Sequence, residues 1–223
     1  MKQLIFTKII GQIRACLNTF SIRRRKNYLS KKSKRNKNTE ISIISNNCVG
    51  GIIYHDLGLK FLSPTIDLSL PPDDYFEFLN NLEFYLSSEL IPRELPGYSY
   101  PIGVLKNGIK EIFIHFMHYE SFEEAKNKWM ERTQRVNFDN LYVIFECALD
   151  VDIDHPYYKK FKQLPFARKR MITYAPKIRD KEIVHCSFYH DNYYPGKILK
   201  YPNGYSKKRY LDRFDYVSFF NQS

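Results

Sequence analysis

The order of its segments predicts an α/β protein: a largely parallel sheet with helices on both faces and one β-hairpin. Three observations carry this. Short β-branched runs alternate with segments of helical periodicity along most of the chain, the pattern of βα units. The first such unit, Ile41-Ser42-Ile43-Ile44-Ser45-Asn46-Asn47-Cys48-Val49-Gly50-Gly51, stops a strand at a polar turn and restarts at helical spacing through Tyr54 and Leu57. The dipeptide Asn107-Gly108 separates two apolar runs, which is a hairpin signal.

In order, Gly58 reads as a helix C-cap and Phe61–Thr65 as a short strand ended by Pro64. Pro71-Pro72-Asp73-Asp74 starts a helix whose apolar residues run from Tyr75 to Leu86, with acidic residues at the positive end of the dipole. Residues 100–105 and the run from Ile109 form the hairpin arms, the second, with EIFIHFMHY at 111–119, carrying His115 and His118. Ser121 and Glu124 make a capping box for a helix through Trp129, with Trp129 expected in the core. Leu141–Phe145 is a buried strand, a short helix follows Pro156, and 171–174 and 182–186 are two more strands. Residues 205–219 read as one last helix.

The chain of 223 residues is long enough for one packed domain, assigned to 39–223, and 43% hydrophobic content suits a globular core. The net charge of +11 is not spread over it. Residues 1–38 contain twelve of the 35 Lys and Arg and none of the 24 Asp and Glu, so the remainder is near neutral. In that arm, Leu4, Ile5, Ile9, Ile13, Leu17 and Phe20 share a helical face, and a polybasic stretch follows. The pattern suits an interfacial helix on anionic lipid; the plainer alternative is a helix packed on the body with a solvated linker. Nucleic acid is not expected as a partner, because the body adds no net positive charge to the basic run. No run reaches the ~20 apolar residues that span a bilayer. A secretory signal is not expected, since Lys8 and Arg14 interrupt the apolar stretch. Four dispersed cysteines without a CxxC pair argue against a zinc site or a disulfide framework, and a reduced cytoplasmic setting is expected.

Several segments, SNNCVGG with YHDLGL, FLSPT, DDYFEFLNNLEFYL, YPIGVL and IHFMHYESFEEAKNKWMERTQRVNFDNLYVI, resemble a bacterial family called exopolysaccharide biosynthesis proteins. The resemblance is close over about residues 40–145 and looser beyond, and leaves the basic arm outside. It implies a variant Rossmann-like fold and a place in capsule, exopolysaccharide or lipopolysaccharide assembly. Relatives often carry an aromatic at the position of Val49, which bears on the shape of the turn.

The chemistry expected from the residues centres on that turn. Cys48, between a strand and a helix N-terminus, is placed where a thiol pKa falls and amides can stabilise an oxyanion. His115 or His118 would serve as its base, because His55 lies about two helical turns, roughly 10 Å, away. Alternatively Cys48 is a small core residue. Ser45, Asn46, Asn47, Gly50 and Gly51 could clamp a phosphate or carbonyl, although Asn and Gly are also ordinary turn residues. Arg132 and Arg135 could reach an anionic donor or form a solvated face with Glu123, Glu124 and Lys128. Asp150 and Asp152, with Asp154, are candidate ligands for Mg²⁺ or Mn²⁺, or else a solvated acidic loop. The function expected is therefore a transferase acting on a sugar or lipid-linked glycan, peripheral at the inner face of the plasma membrane. Acyl transfer from acyl-CoA and glycosyl transfer from a nucleotide sugar both remain open, as does a non-catalytic adaptor of the glycan machinery.

Overall fold

The computed structural model describes residues 21–149, 151–174, 178–186 and 194–222. The amphipathic segment expected at 2–20, and Cys16 within it, lie outside the described residues.

The central sheet contains β1 (Ser42–Ser45), β5 (Leu141–Cys147), β6 (Lys169–Thr173) and β7 (Ile183–His185), all parallel and in that order. β2 (Ile91–Pro92), β3 (Ile102–Lys106) and β4 (Glu111–His115) form a separate antiparallel sheet. The expected architecture thus holds, with the hairpin moved out of the main sheet. Its turn is built by Asn107, whose Oδ1 accepts from the amides of Ile109 and Lys110 at 3.0 and 2.7 Å, while Gly108 takes φ +83°.

Alternation along β5 sorts the two faces of the sheet. Leu141, Val143, Phe145 and Cys147 join one core with α3 (Pro72–Asn80), α4 (Leu82–Ser87), α5 (Phe122–Thr133) and α6 (Pro156–Gln163). Tyr142 and Ile144 join the other, with α2 (Val49–Leu57) and α7 (Tyr216–Phe220). Trp129 is buried in the first core, and Ser121 Oγ accepts from Glu124 N at 3.2 Å as the N-cap of α5. Gly58 closes α2 in the left-handed region.

Three expected elements differ. Residues 61–65 form no strand: Ser42 Oγ donates to Leu62 O at 2.7 Å and Ser45 N donates to Thr65 Oγ1 at 3.1 Å, so side chains cover that edge of β1. The helix from Pro72 breaks at Asn81, whose backbone (φ −130°, ψ 40°) separates α3 from α4. Residues 205–219 are not one helix. They contain a 3₁₀ turn, Tyr210–Arg213, and then α7, capped by Asp215, whose Oδ1 accepts from Ser218 N at 3.3 Å.

The second half of the basic arm is also ordered on the body. A helix, α1, covers residues 21–35. Arg25 pairs with Asp56 at 2.5 Å and with Asp212; Lys32 pairs with Asp212 at 2.7 Å; Ser33 Oγ donates to Leu57 O at 2.7 Å. No helix among the described residues is long and apolar enough to cross a membrane.

Candidate active site at the ends of β1 and β5

The turn after β1 sits at the carboxyl end of the parallel sheet, where α/β proteins hold ligands. Its groups, however, are engaged with one another. Ser45 Oγ donates to Asn47 O at 2.7 Å and accepts from Gly50 N at 3.1 Å. Asn47 Oδ1 accepts from Val49 N at 3.1 Å. Two of the first α2 amides are thereby capped from within. Asn46 extends the β1–β5 ladder by a rung: its Nδ2 donates to Glu146 O at 3.0 Å and its Oδ1 accepts from Glu146 N at 2.9 Å.

The glycines serve the same closure. A Cβ on Gly50 would lie 2.6 Å from Ser45 Oγ, and one on Gly51 would lie 3.3 Å from Ile66 Cγ2. Both positions make room for the chain's own residues, which corrects the expectation of an open cradle of amides at Ser45, Asn46, Asn47, Gly50 and Gly51. Val49 is fully buried in the core formed with α7.

Cys48 is half-buried, with its Sγ 4.0 Å from Leu68 O. Burial, then the negative charges of Asp67 and Glu146, push its thiol up to about 11. This is opposite to the activation expected from a helix N-terminus: that effect is small beside the loss of hydration and two nearby carboxylates.

Neither histidine is hydrogen-bonded to Cys48 among the described residues. His115 pairs through its backbone with Ser69, N to O at 2.8 Å in both directions, and its Nδ1 lies 3.3 Å from the Tyr100 hydroxyl. Burial holds its imidazole below the ordinary value. His118 is exposed in the turn after β4. The Cys–His pairing expected from sequence is not assembled.

Arg132 is buried rather than poised for a donor. It donates to the Tyr119 hydroxyl at 2.7 Å and lies over the Phe61 ring at 5.3 Å. Arg135 forms a surface ion pair with Glu131 one turn earlier, worth about 0.3–0.5 kcal/mol. Asp152 Oδ1 accepts from the amides of Asp154 and His155 at 3.0 and 2.9 Å, capping the turn before α6. Asp150 lies outside the described residues. Among the described residues no group of three His, Cys, Asp or Glu side chains is placed to hold a metal ion.

What sequence reasoning missed is Glu146. It is 4% exposed at the penultimate position of β5, an otherwise apolar strand. Asn47 Nδ2 and the Tyr174 hydroxyl both donate to its carboxylate in short hydrogen bonds, and Gly196 N lies 3.2 and 3.3 Å from its two oxygens. Among the described residues no Lys or Arg forms an ion pair with it. Burial raises its pKa, although Tyr174, Asn47 and the amides of Gly196 and Ile198 each pull the other way. A buried carboxylate without a cation is costly for stability, and such groups cluster at functional sites. The available signal was a lone charge inside Leu-Tyr-Val-Ile-Phe-Glu-Cys with no basic residue beside it. Asp67, exposed and in the left-handed region at φ +59°, adds a second carboxylate near Cys48.

The sequence matches the family model described as Domain of unknown function (DUF1919) over residues 19–221. The chain belongs to that family. It is also 36% identical over 189 residues to an uncharacterized protein of Haemophilus influenzae, covering 83% of this chain and 86% of the relative. The DUF1919 match extends both ways beyond the closely resembling 40–145 region. It takes in all of α1, so the docked basic helix belongs to the shared domain rather than outside it. It also spans Cys48, Asp67 and Glu146.

Proposed function

We propose that this chain is a transferase of bacterial surface-polysaccharide biosynthesis that acts on a sugar or lipid-linked glycan from the cytoplasmic side of the plasma membrane. The observation that carries the reading is the Glu146 carboxyl: buried, raised in pKa, unpaired by any described cation, and held at the carboxyl end of a central parallel strand. Such a group suits a general base, because a raised pKa strengthens its affinity for the proton of a hydroxyl acceptor. In this scheme the acceptor hydroxyl gives its proton to Glu146 while its oxygen attacks the donor carbon. A C–O bond forms, and the bond from that carbon to the leaving group breaks: thiolate from acyl-CoA, or nucleoside diphosphate from a nucleotide sugar. Cys48 is not the nucleophile in either case, since its raised pKa and lack of a base disfavour thiolate formation.

The test is a thermal-shift screen of acyl-CoA and nucleotide-sugar donors, with and without Mn²⁺, followed by mass spectrometry of donor consumption. Glu146→Gln should keep the donor-induced shift and lose turnover; equal turnover in the variant overturns the role given to Glu146. One observation favours a second reading, a non-catalytic assembly protein: the turn satisfies its own polar groups. Absence of any donor shift, together with recovery of a defined complex from cells, would support that alternative.

A further inference from the structure

The two sides of α1 differ in a way that docking on the body does not explain. Arg25 and Lys32, seven residues and two turns apart, face the body and are consumed by Asp56 and Asp212. At the end of the helix, Arg35 pairs with Asp215 at 3.2 Å. Those three carboxylates are therefore occupied. Arg23, Lys26 and Lys34, recurring with Ser30 at three- and four-residue spacing, lie on the opposite side, and Lys31 flanks them; all are exposed. None of these four cations is in an ion pair among the described residues. No Asp or Glu occurs anywhere in residues 1–38 to offset them.

The basic surface continues onto the body. Lys207 and Lys208 are exposed; Lys207 O accepts from the buried Arg25 at 3.1 Å, and Lys208 Nζ lies 5.5 Å from the Tyr28 ring. Among these cations stand large side chains facing solvent: Ile22 at 63% exposure and Tyr205 at 60%, with Tyr201 less so. A cavity of about 880 Å³ opens beside them, walled by Ile22, Leu29, Leu57 and Tyr201 with Lys26 at its margin.

The geometry points to the outer face of α1, with the 201–208 loop, as a docking surface for a bilayer rich in anionic phospholipid. Uncompensated Lys and Arg meet the headgroup phosphates, tyrosines sit at headgroup level, and the aliphatic Ile22 enters the acyl boundary. Tyr201 is already covered by the Arg25 and Arg209 guanidiniums at 5.8 and 5.4 Å, and the exposed Ile22 gains from an acyl boundary and not from a nucleic acid. This deepens, and rests on, the membrane location in the reading above. It does not depend on Glu146 or on any reaction.

The experiment is co-sedimentation of the full chain with vesicles of phosphatidylcholine alone or with about one-third phosphatidylglycerol, at low and high salt. Each basic residue near such a surface contributes roughly fivefold to partitioning. The full chain should sediment with the anionic vesicles at about 0.1 M salt, remain in solution with the neutral ones, and be released as salt screens the attraction. The fourfold variant R23Q/K26Q/K31Q/K34Q should lose more than a hundredfold in partitioning while keeping its thermal melt, because all four side chains are exposed and none is in an ion pair among the described residues. Equal binding of variant and parent overturns the proposal, as do equal binding to neutral vesicles and displacement of the bound chain by an equal mass of duplex DNA. Glu146→Gln should bind vesicles like the parent, so failure here and failure of the transfer chemistry are told apart.

Discussion

If Glu146 is a buried carboxyl with a raised pKa, its ionisation works against folding, and the pH dependence of stability must show it. The perturbation is Glu146→Gln, which keeps the shape and still accepts from Asn47 Nδ2 through its amide oxygen. Between the unfolded carboxyl pKa, about 4.3, and the higher folded value, the folded chain binds one proton more than the unfolded chain. Stability therefore falls as pH rises through that window. One proton corresponds to a slope of at most about 1.4 kcal/mol per pH unit. For a domain of this size that is roughly 3–6 °C in Tm per unit. The assay is a thermal melt of both proteins at half-unit steps from pH 5 to 8. The shared titrations cancel in the difference, leaving that of residue 146. The variant should gain on the parent as pH rises, with the gap levelling above the folded pKa. A flat difference over this range would mean that Tyr174, Asn47 and Gly196 offset or outweigh burial, since an ordinary or depressed carboxyl has finished titrating at lower pH. That result refutes the raised pKa assigned to Glu146.

Three other perturbations probe the frame around it. Gly50→Ala places a methyl 2.6 Å from Ser45 Oγ and should cost about 1–3 kcal/mol in a denaturant melt; with Ser45→Ala added, the double variant should be less destabilised than the sum of the two. Asp212→Asn leaves Arg25 and Lys32 with one shared counter-charge fewer and should cost about 3–5 kcal/mol. Burial opposes ionisation of Asp212, but Lys32 and Arg25 win and hold its pKa below the ordinary value, so its contribution is present above the unfolded carboxyl pKa and fades as pH falls. Alkylation of Cys48 by iodoacetamide at pH 7.5, followed by peptide mass spectrometry, should run roughly two orders of magnitude slower than for a free thiol, as a pKa of about 11 implies.

Much of the frame was legible because it rests on local rules. Asn107-Gly108 turns the hairpin with its own side chain and a positive φ, Ser121 caps α5 through Glu124 N, and strand–helix alternation yields the parallel sheet. The failures are tertiary. Nothing local says that the Thr65 hydroxyl, braced by Ser63, covers the β1 edge instead of a ladder. Nor does sequence say that Asp212 and Asp215 are taken by α1 or used as caps, which breaks up the C-terminal segment. At the site, Asn, Cys and Gly have the same composition whether a turn holds a ligand or closes on itself. Only the distances from Ser45 and Asn47 to the α2 amides decide for closure. Glu146 hid at the end of an apolar strand because its partners come from 28 and 50 residues onward, at Tyr174 and Gly196.

The central claim is that proton transfer runs through Glu146 and not through Cys48. The most direct measurement compares donor consumption by Glu146→Gln and Cys48→Ser side by side, each checked for an unchanged fold by its thermal melt. The account predicts that the first is inactive and the second close to the parent; activity surviving in the first and vanishing in the second would contradict it.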